Sequence, residues 1–356
     1  MPEAPYNARV RNCTVNLRVP DELDIIARIA RAVPSHTSPV LPLTIGDDAA
    51  LLRPPRGKQW VLTCDAFVEN VHFLARVHPA EAVGYKALAR AVSDLAAMGA
   101  TPRVFLLTLG LPADRTGAWL NRFLRGLARA ARAFDLVLAG GDTFRSTAVF
   151  VSVTAIGDIV GGYAVKRSGA RPGDRIYLSG IAGAAELGLQ LILRGLARSR
   201  SWKTLLRPHL FPVPRLKLGS WLAKHRLASA MLDTSDGLST DLDRLCRASG
   251  TGARIFAALL PAVKVPGELR RRGFDPLQLA LHGAEDYELL FTVPRKRVHK
   301  LPARFGGVPL TCIGEITEPP QLLLVGENGA VQPLQPAGWD HFRSKPAQTR
   351  KPGSLP

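Results

Sequence analysis

The chain has 356 residues, enough for roughly two globular domains at about 100–200 residues each. Hydrophobic residues make up 46% and charged residues 21%, a balance that excludes disordered, collagenous and disulfide-scaffold proteins. Lys and Arg total 47 against 29 Asp and Glu, a formal net charge of +18, so the field around the molecule attracts phosphates, nucleic acid or anionic membranes without choosing among them.

Residues 1–20 are polar, carry Arg9, Arg11 and Arg18, and read as a loose extension rather than a secretory signal. Asp21 to Val33 has Leu23, Ile26, Ala27 and Ala30 at helical spacing and stops before Pro34. Ala49–Leu52 and Trp60–Thr63 are β-prone runs, and Pro79 to Met98 is a long small-residue helix closed by Gly99. Val104–Leu109 reads as a strand, Trp119–Phe134 as a helix with an arginine face, and Leu136–Leu138 and Ala148–Ile156 as strands. The Gly-rich stretch Gly157–Gly173 marks a boundary between a first domain, 21–160, and a second, 161–344. In the second domain the expected strands are Arg175–Ser179, Ala230–Leu232, Arg254–Ala257, Tyr287–Val293 and Thr311–Ile316. The expected helices are Ala184–Leu196, Pro214–His225 and Leu238–Ser249, and the tail 345–356 reads as disordered. The class is α/β or α+β. Cys13, Cys64, Cys246 and Cys312 form no C-x-x-C pair, which argues against structural zinc and a disulfide frame and for a reducing compartment. Ile181–Leu196 is too short and too interrupted to span a bilayer, so the expectation is a soluble cytoplasmic protein.

In a chain poor in acids, the placement of carboxylates is informative. Asp47 and Asp48, Asp65, Asp142, and Asp233 with Asp236 all read as strand-end residues flanked by Gly, Ser or Thr, and Asp94 adds a helical member. Each alone fits a turn or an N-cap. As a set they would repel one another and need cations, and carboxylates on loops beside small residues suit magnesium with phosphate partners. There is no Walker A loop, no G-x-G-x-x-G, no G-x-S-x-G elbow and no H-E-x-x-H, so the chemistry suggested is metal-assisted and phosphate-directed without a P-loop.

The segments Gly46-Asp47-Asp48-Ala49-Ala50-Leu51-Leu52, Thr63-Cys64-Asp65, Asn70-Val71-His72-Phe73, Tyr85-Lys86-Ala87-Leu88, Ser93-Asp94-Leu95-Ala96-Ala97-Met98-Gly99-Ala100, Gly140-Gly141-Asp142-Thr143, Asp233-Thr234-Ser235-Asp236-Gly237-Leu238 and Glu285-Asp286-Tyr287-Glu288-Leu289 occur in that order. Together they closely resemble the thiamine-monophosphate kinases, which share a superfamily with aminoimidazole ribonucleotide synthetase. The resemblance spans about Asp21 to Phe342. It implies an N-terminal domain that forms a β-barrel with a second subunit, a C-terminal α/β domain, and transfer of phosphate from ATP to thiamine phosphate, giving thiamine diphosphate. It implies magnesium ligands at Asp48, Thr63, Cys64, Asp65, Asp94, Asp142, Asp233 and Asp236, with Asp65, Asp94 and Asp142 central to catalysis. Nucleotide contacts fall on Gly141, Asp142, Arg167 and Ser235, and substrate contacts on His72, Glu285 and Trp339. Departures are Cys64 where Thr or Ser is usual, Asn70 where Gly is frequent, and Ala284 in place of one of the paired glycines.

Phosphoryl transfer needs positioning and charge neutralisation more than a catalytic triad, consistent with the absence of one. Selenophosphate synthetase and the hydrogenase-maturation protein are disfavoured: Cys13 has no glycine-rich setting, and the chain ends Gly353-Ser354-Leu355-Pro356. Another kinase of the superfamily, with a different acceptor, is the nearer alternative. The interval Leu187–Leu232 has many Arg and Lys and no acid, which raises nucleic-acid binding as a rival, but Trp202, Phe211 and Trp221 fit helix packing as well as base stacking.

Overall fold

The computed structural model of the chain describes residues 22–44, 49–53 and 56–342. The expected extension 1–20, the motif residues Gly46, Asp47 and Asp48, and the tail 345–356 lie outside the described residues.

The N-terminal half runs α1 (Glu22–Ala32), β1 (Lys58–Val68), α2 (Ala80–Met98), β2 (Thr101–Leu111), α3 (Ala118–Ala133), β3 (Val137–Arg145) and β4 (Phe150–Val160). Its sheet has four strands in the order β1-β4-β2-β3, with only β2 and β3 parallel. One face, with Phe67, Leu107, Leu109, Val151 and Val153, packs on α2 and α3 and holds the larger core. Leu88 and Leu95 of α2 are 0% exposed, and burial of such a side chain contributes about 1.5–3 kcal/mol. The opposite face is partly covered by Leu41, Ala50 and Leu52 and otherwise open, with Leu62, Leu106 and Phe144 exposed. Among the described residues the sheet is not closed into a barrel.

The C-terminal half runs β5 (Arg175–Ser179), α4 (Ala184–Leu193), α5 (Arg207–Leu210), α6 (Leu216–Lys224), β6 (Ala230–Asp233), α7 (Leu238–Ser249), β7 (Gly252–Phe256), α8 (Gly267–Arg271), α9 (Pro276–His282), β8 (Leu289–Val293), β9 (Arg304–Phe305), β10 (Val308–Thr317), β11 (Leu322–Val325) and β12 (Val331–Pro333). Its eight-stranded sheet has the order β12-β11-β7-β10-β5-β8-β6, with β9 on β10 and only β7–β11 parallel. Both sheets are mainly antiparallel, so the fold is α+β rather than a doubly wound parallel sheet.

Several sequence expectations change. Ala49–Leu52 is not a strand; it makes one bridge, Leu51 to Leu43. β1 continues to Val68, paired residue by residue with β4, so Asp65 lies inside a strand rather than in a turn. β3 likewise runs through Asp142. Gly141 permits this, because a Cβ there would stand 1.8 Å from the Leu107 carbonyl oxygen. The short elements α8, α9, β11 and β12 had no periodicity long enough to read.

Candidate active site

A cavity of about 260 Å³ opens where the two halves meet. Helix α2 supplies its centre. Lys86, Arg90, Ser93 and Asp94 recur at i, i+4, i+7 and i+8, a polar stripe on a helix built, apart from Glu81 and Tyr85, of small and aliphatic residues. β1 adds Asp65, the end of β6 adds Asp233, the turn from β6 to α7 adds Ser235 and Asp236, the segment before β8 adds Glu285 and Tyr287, and the C-terminal segment adds Trp339 and His341.

At one end the acids crowd. Thr63 donates to Asp94 at 2.5 Å, Ser93 donates to Asp233 at 2.6 Å, and Arg244 pairs with Asp236. Burial, with the charges of Asp94 and Asp236 beside it, pushes the Asp65 carboxyl up despite Arg90. Burial and the neighbouring Asp94 push Asp233 up further. Among the described residues no three His, Cys, Asp or Glu side chains are arranged to hold a metal unaided. A hard cation here would therefore take further oxygen ligands from phosphate, and the uncompensated carboxylates fit that role.

At the other end Glu285 is satisfied by cations. Lys86 Nζ donates to it at 2.6 Å and Arg90 at 3.3 Å, and the Glu285 and Lys86 side chains are 14% and 4% exposed. Burial alone would raise the Glu285 carboxyl, but Lys86, His209 and Arg90 outweigh it and hold the carboxyl well below its usual range. Glu285 and Tyr287 have φ of +68° and +52°, left-handed backbone that costs a non-glycine residue about 1–3 kcal/mol. Main-chain bonds from Glu285 to Ser235 and from Tyr287 to Thr234, each 2.9 Å, hold that turn against the β6–α7 turn. Arg90 Nε, buried beside the cavity, has no hydrogen-bond partner and is an unused donor for an anion.

His72 follows a turn at Asn70, whose φ of +67° explains why glycine suits this position and why asparagine substitutes for it. Its Nδ1 accepts the Val68 N–H at 3.0 Å, and burial together with Arg90 lowers its pKa to about 4, so the ring is neutral at pH 7. Trp339 donates its main-chain N–H to the Asp236 carbonyl at 2.8 Å and sets its ring edge-on to His341, 5.6 Å away. Gly338 allows this approach, since a Cβ there would lie 1.9 Å from the Asp236 carbonyl oxygen.

The cavity thus gathers Asp65, Asp94, Asp233, Ser235, Asp236, His72, Glu285 and Trp339. Thr63 and Arg167 line a neighbouring cavity of about 410 Å³ that shares Asp94. Cys64 points to the open face of the sheet, with Sγ 3.4 Å from Ser152 Oγ, so its thiol is turned away from the aspartates of the cavity. Gly141 and Asp142 line neither cavity. Asp65 aligns with Val153, Leu107 and Gly141 across the sheet, which puts the two edges about 14 Å apart. By strand alternation Asp142 leaves from the open face, opposite Asp65. Asp94 does not pair with Arg90, as a simple helix-face reading would have it, because Arg90 turns to Glu285. Sequence reasoning missed Lys86 and Arg90 as site residues; the signals were the place of Lys86 in the Tyr85-Lys86-Ala87-Leu88 segment and two cations four residues apart on one face of α2.

Comparison with known proteins gives the family. Residues 46–159 match the AIR synthase related protein N-terminal domain, and residues 171–325 match the C-terminal domain of the same family. The thiamine-monophosphate kinase of Escherichia coli K12 is 40% identical over 328 residues, covering 90% of this chain and 98% of that protein. The crystal structure of thiamine-monophosphate kinase from Stenotrophomonas maltophilia superposes with a TM-score of 0.71 at 36% identity, covering 86% of this chain and 95% of that one. A structure described as AaThiL complexed with AMPPCP and TMP has a TM-score of 0.71 at 34% identity, covering 86% and 93%. With two cavities sharing Asp94 and relatives aligned over nearly their whole length, this chain belongs to the thiamine-monophosphate kinase family of AIR synthase related proteins.

Proposed function

We propose that the chain transfers the terminal phosphate of ATP to thiamine phosphate, forming thiamine diphosphate. The observation that carries this reading is a single cavity with aspartates at one end and a paired Glu285 with Trp339 at the other, in a member of this kinase family. Asp65, Asp94, Asp233 and Asp236 would hold magnesium together with phosphate oxygens, and the ion supplies neutralisation of phosphate charge when bound. Asp48, Thr63, the Cys64 carbonyl and Asp142 belong to the same proposed ligand set. Arg90 lines the cavity beside the acceptor phosphate, which as an anion at neutral pH needs no strong base. The Trp339 face attracts the thiazolium cation, Glu285, its charge already met by Lys86 and Arg90, shapes the substrate end of the pocket, and neutral His72 contributes hydrogen bonding rather than charge. Ser235 and Arg167 flank the nucleotide, with Gly141 and Asp142.

The finer arrangement proposed is a homodimer with 21–160 as the ATP, metal and dimerisation domain and 161–344 as the second domain. The open face with Leu62, Leu106 and Phe144 is what a second copy would cover, and Asp142 lies on that face. A second copy there closes the sheet toward a barrel and gives Asp142 a route to an active site. Among the described residues no helix is long and apolar enough to cross a membrane, and a cytoplasmic location is part of the proposal.

The test is coupled formation of ADP and thiamine diphosphate from purified protein, magnesium, ATP and thiamine phosphate, with metal-free and acceptor-free controls. Stoichiometric, magnesium-dependent product supports the reading. ADP formation or ATP binding without thiamine diphosphate transfers the assignment to another acceptor.

A further inference from the structure

The acid-free interval that stands out in the sequence lines much of a third cavity, of about 790 Å³, which shares no lining residue with the aspartate-lined cavity. Its floor is apolar and aromatic, with Tyr85 from α2 and Phe211 beyond α5 meeting edge to face at 5.5 Å. Four cations line it, Arg129, Arg198, Lys203 and Arg207, and no carboxylate does. Arg129 is already placed: its guanidinium lies 4.8 Å from the Tyr85 ring centroid and 4.2 Å from that of Phe211, and Glu81 holds it at 2.8 Å. Among the described residues Arg198, Lys203 and Arg207 have no carboxylate partner. Concave surfaces with unpaired cations of one sign concentrate anions, and the volume lies in the range of small-molecule sites.

We propose that this cavity is a second ligand site that takes an aromatic polyphosphate, with phosphate on Arg198, Lys203 and Arg207 and the ring stacked on the outer face of Arg129. The guanidinium plane favours a ring over an aliphatic body, because it stacks as well as pairs. An adenine nucleotide and thiamine diphosphate share this chemistry. The site also touches the substrate pocket from behind. His209, on the buried side of α5, lies 3.2 Å from Lys86 Nζ and 3.4 Å from Glu285, while Arg207, two residues earlier and so on the opposite side of the same turn, lines the cavity. A ligand that draws on α5 therefore acts on the pair that positions Glu285.

The experiment is equilibrium titration of the full chain in excess EDTA, which removes metal-dependent binding at the aspartates, using ADP, thiamine diphosphate and inorganic pyrophosphate as separate probes. At least one aromatic probe is expected to bind saturably, tighter than pyrophosphate, and to lose at least tenfold in affinity in Lys203→Glu/Arg207→Glu. Which of the two binds tighter identifies the source. If Lys203→Glu/Arg207→Glu melts early, Arg198→Glu/Lys203→Glu, which leaves α5 intact, takes its place. Absence of metal-independent binding, affinity unchanged by charge reversal, or pyrophosphate binding as tightly as both aromatic probes would overturn the proposal. A second arm rests on the kinase reading: the better probe should change KM for thiamine phosphate more in the wild type than in the charge-reversed variant, where only its competition as a product of the reaction remains. Because the titration needs no turnover, failure of this site and failure of the kinase assignment are told apart.

Discussion

The two ends of the active-site cavity treat the same functional group in opposite ways. Asp65 and Asp233 sit among other acids, and burial together with that crowding raises their carboxyls. Glu285 is as deeply placed, yet Lys86, His209 and Arg90 reverse the effect of burial and hold its carboxyl down. The difference separates a charge left for a ligand from a charge neutralised within the fold. At the aspartate end the acids are left crowded against one another; at the Glu285 end the carboxylate is held in place by cations of the fold itself.

The sharpest way to break this contrast is to remove charge at the aspartate end. Asp65→Asn is expected to lower turnover by about 10²–10³-fold, the range seen when a preorganised electrostatic contact is lost. Its melting temperature should hold or rise, because repulsion with Asp94 and Asp236 falls. Asp142→Asn should lose turnover as well, through the open sheet face. Initial rates beside thermal melts check both, and normal turnover in the two variants would refute the carboxylate argument. The opposite outcome is expected at the other end: Lys86→Met takes the nearest cation from buried Glu285 and leaves it only Arg90 and His209, at a cost of up to about 3–5 kcal/mol. Denaturant unfolding should show that loss, and Lys86→Met/Glu285→Gln should recover part of it.

The aspartates were legible in sequence because small residues flank them, but their setting was not. Asp65 read as a turn residue since the strand signal of Val61–Thr63 stops before Cys64, whereas pairing with β4 extends β1 to Val68. Lys86 and Glu285 are 199 positions apart, so no local pattern links them, and their pairing depends on α2 lying between the two sheets. The two-domain architecture was readable from long periodic elements. The antiparallel pairing and the short helices α8 and α9 were not, because strand direction and five- to seven-residue helices leave little trace in hydrophobic spacing.

A smaller effect separates Glu285 from its neighbour. Asp286 accepts the N–H groups of Gly183 and Ala185, at 2.5 and 2.8 Å, but burial pushes its carboxyl up to about 7. A raised acid contributes stability while protonated, and that contribution is lost as pH rises from 3.8 through about 7. Glu285, depressed, has the reverse sign: its contribution is present above its ordinary value of 4.5 and is lost as pH falls below it. Melting temperature against pH should therefore fall less steeply between pH 4 and pH 7 in Asp286→Asn, and the acid-side loss should shrink in Glu285→Gln. Slopes unchanged in both variants would show that neither group carries the titration.

The smallest expected change tests whether the Glu285 corner attracts a cation together with Trp339. A cation over an aromatic face contributes about 0.5–2 kcal/mol, so Trp339→Ala should raise KM for thiamine phosphate about 2- to 30-fold with kcat little altered. Trp339→Phe should keep part of the affinity. The ring also stands edge-on to His341 and its main chain is bound to Asp236, so a purely structural role would lower kcat and melting temperature with KM. Combining Trp339→Ala with Glu285→Gln distinguishes the cases. If ring and carboxylate attract one cation, the two KM effects will be less than multiplicative, because each variant weakens the setting in which the other acts; independent multiplication would place the cation at only one of them.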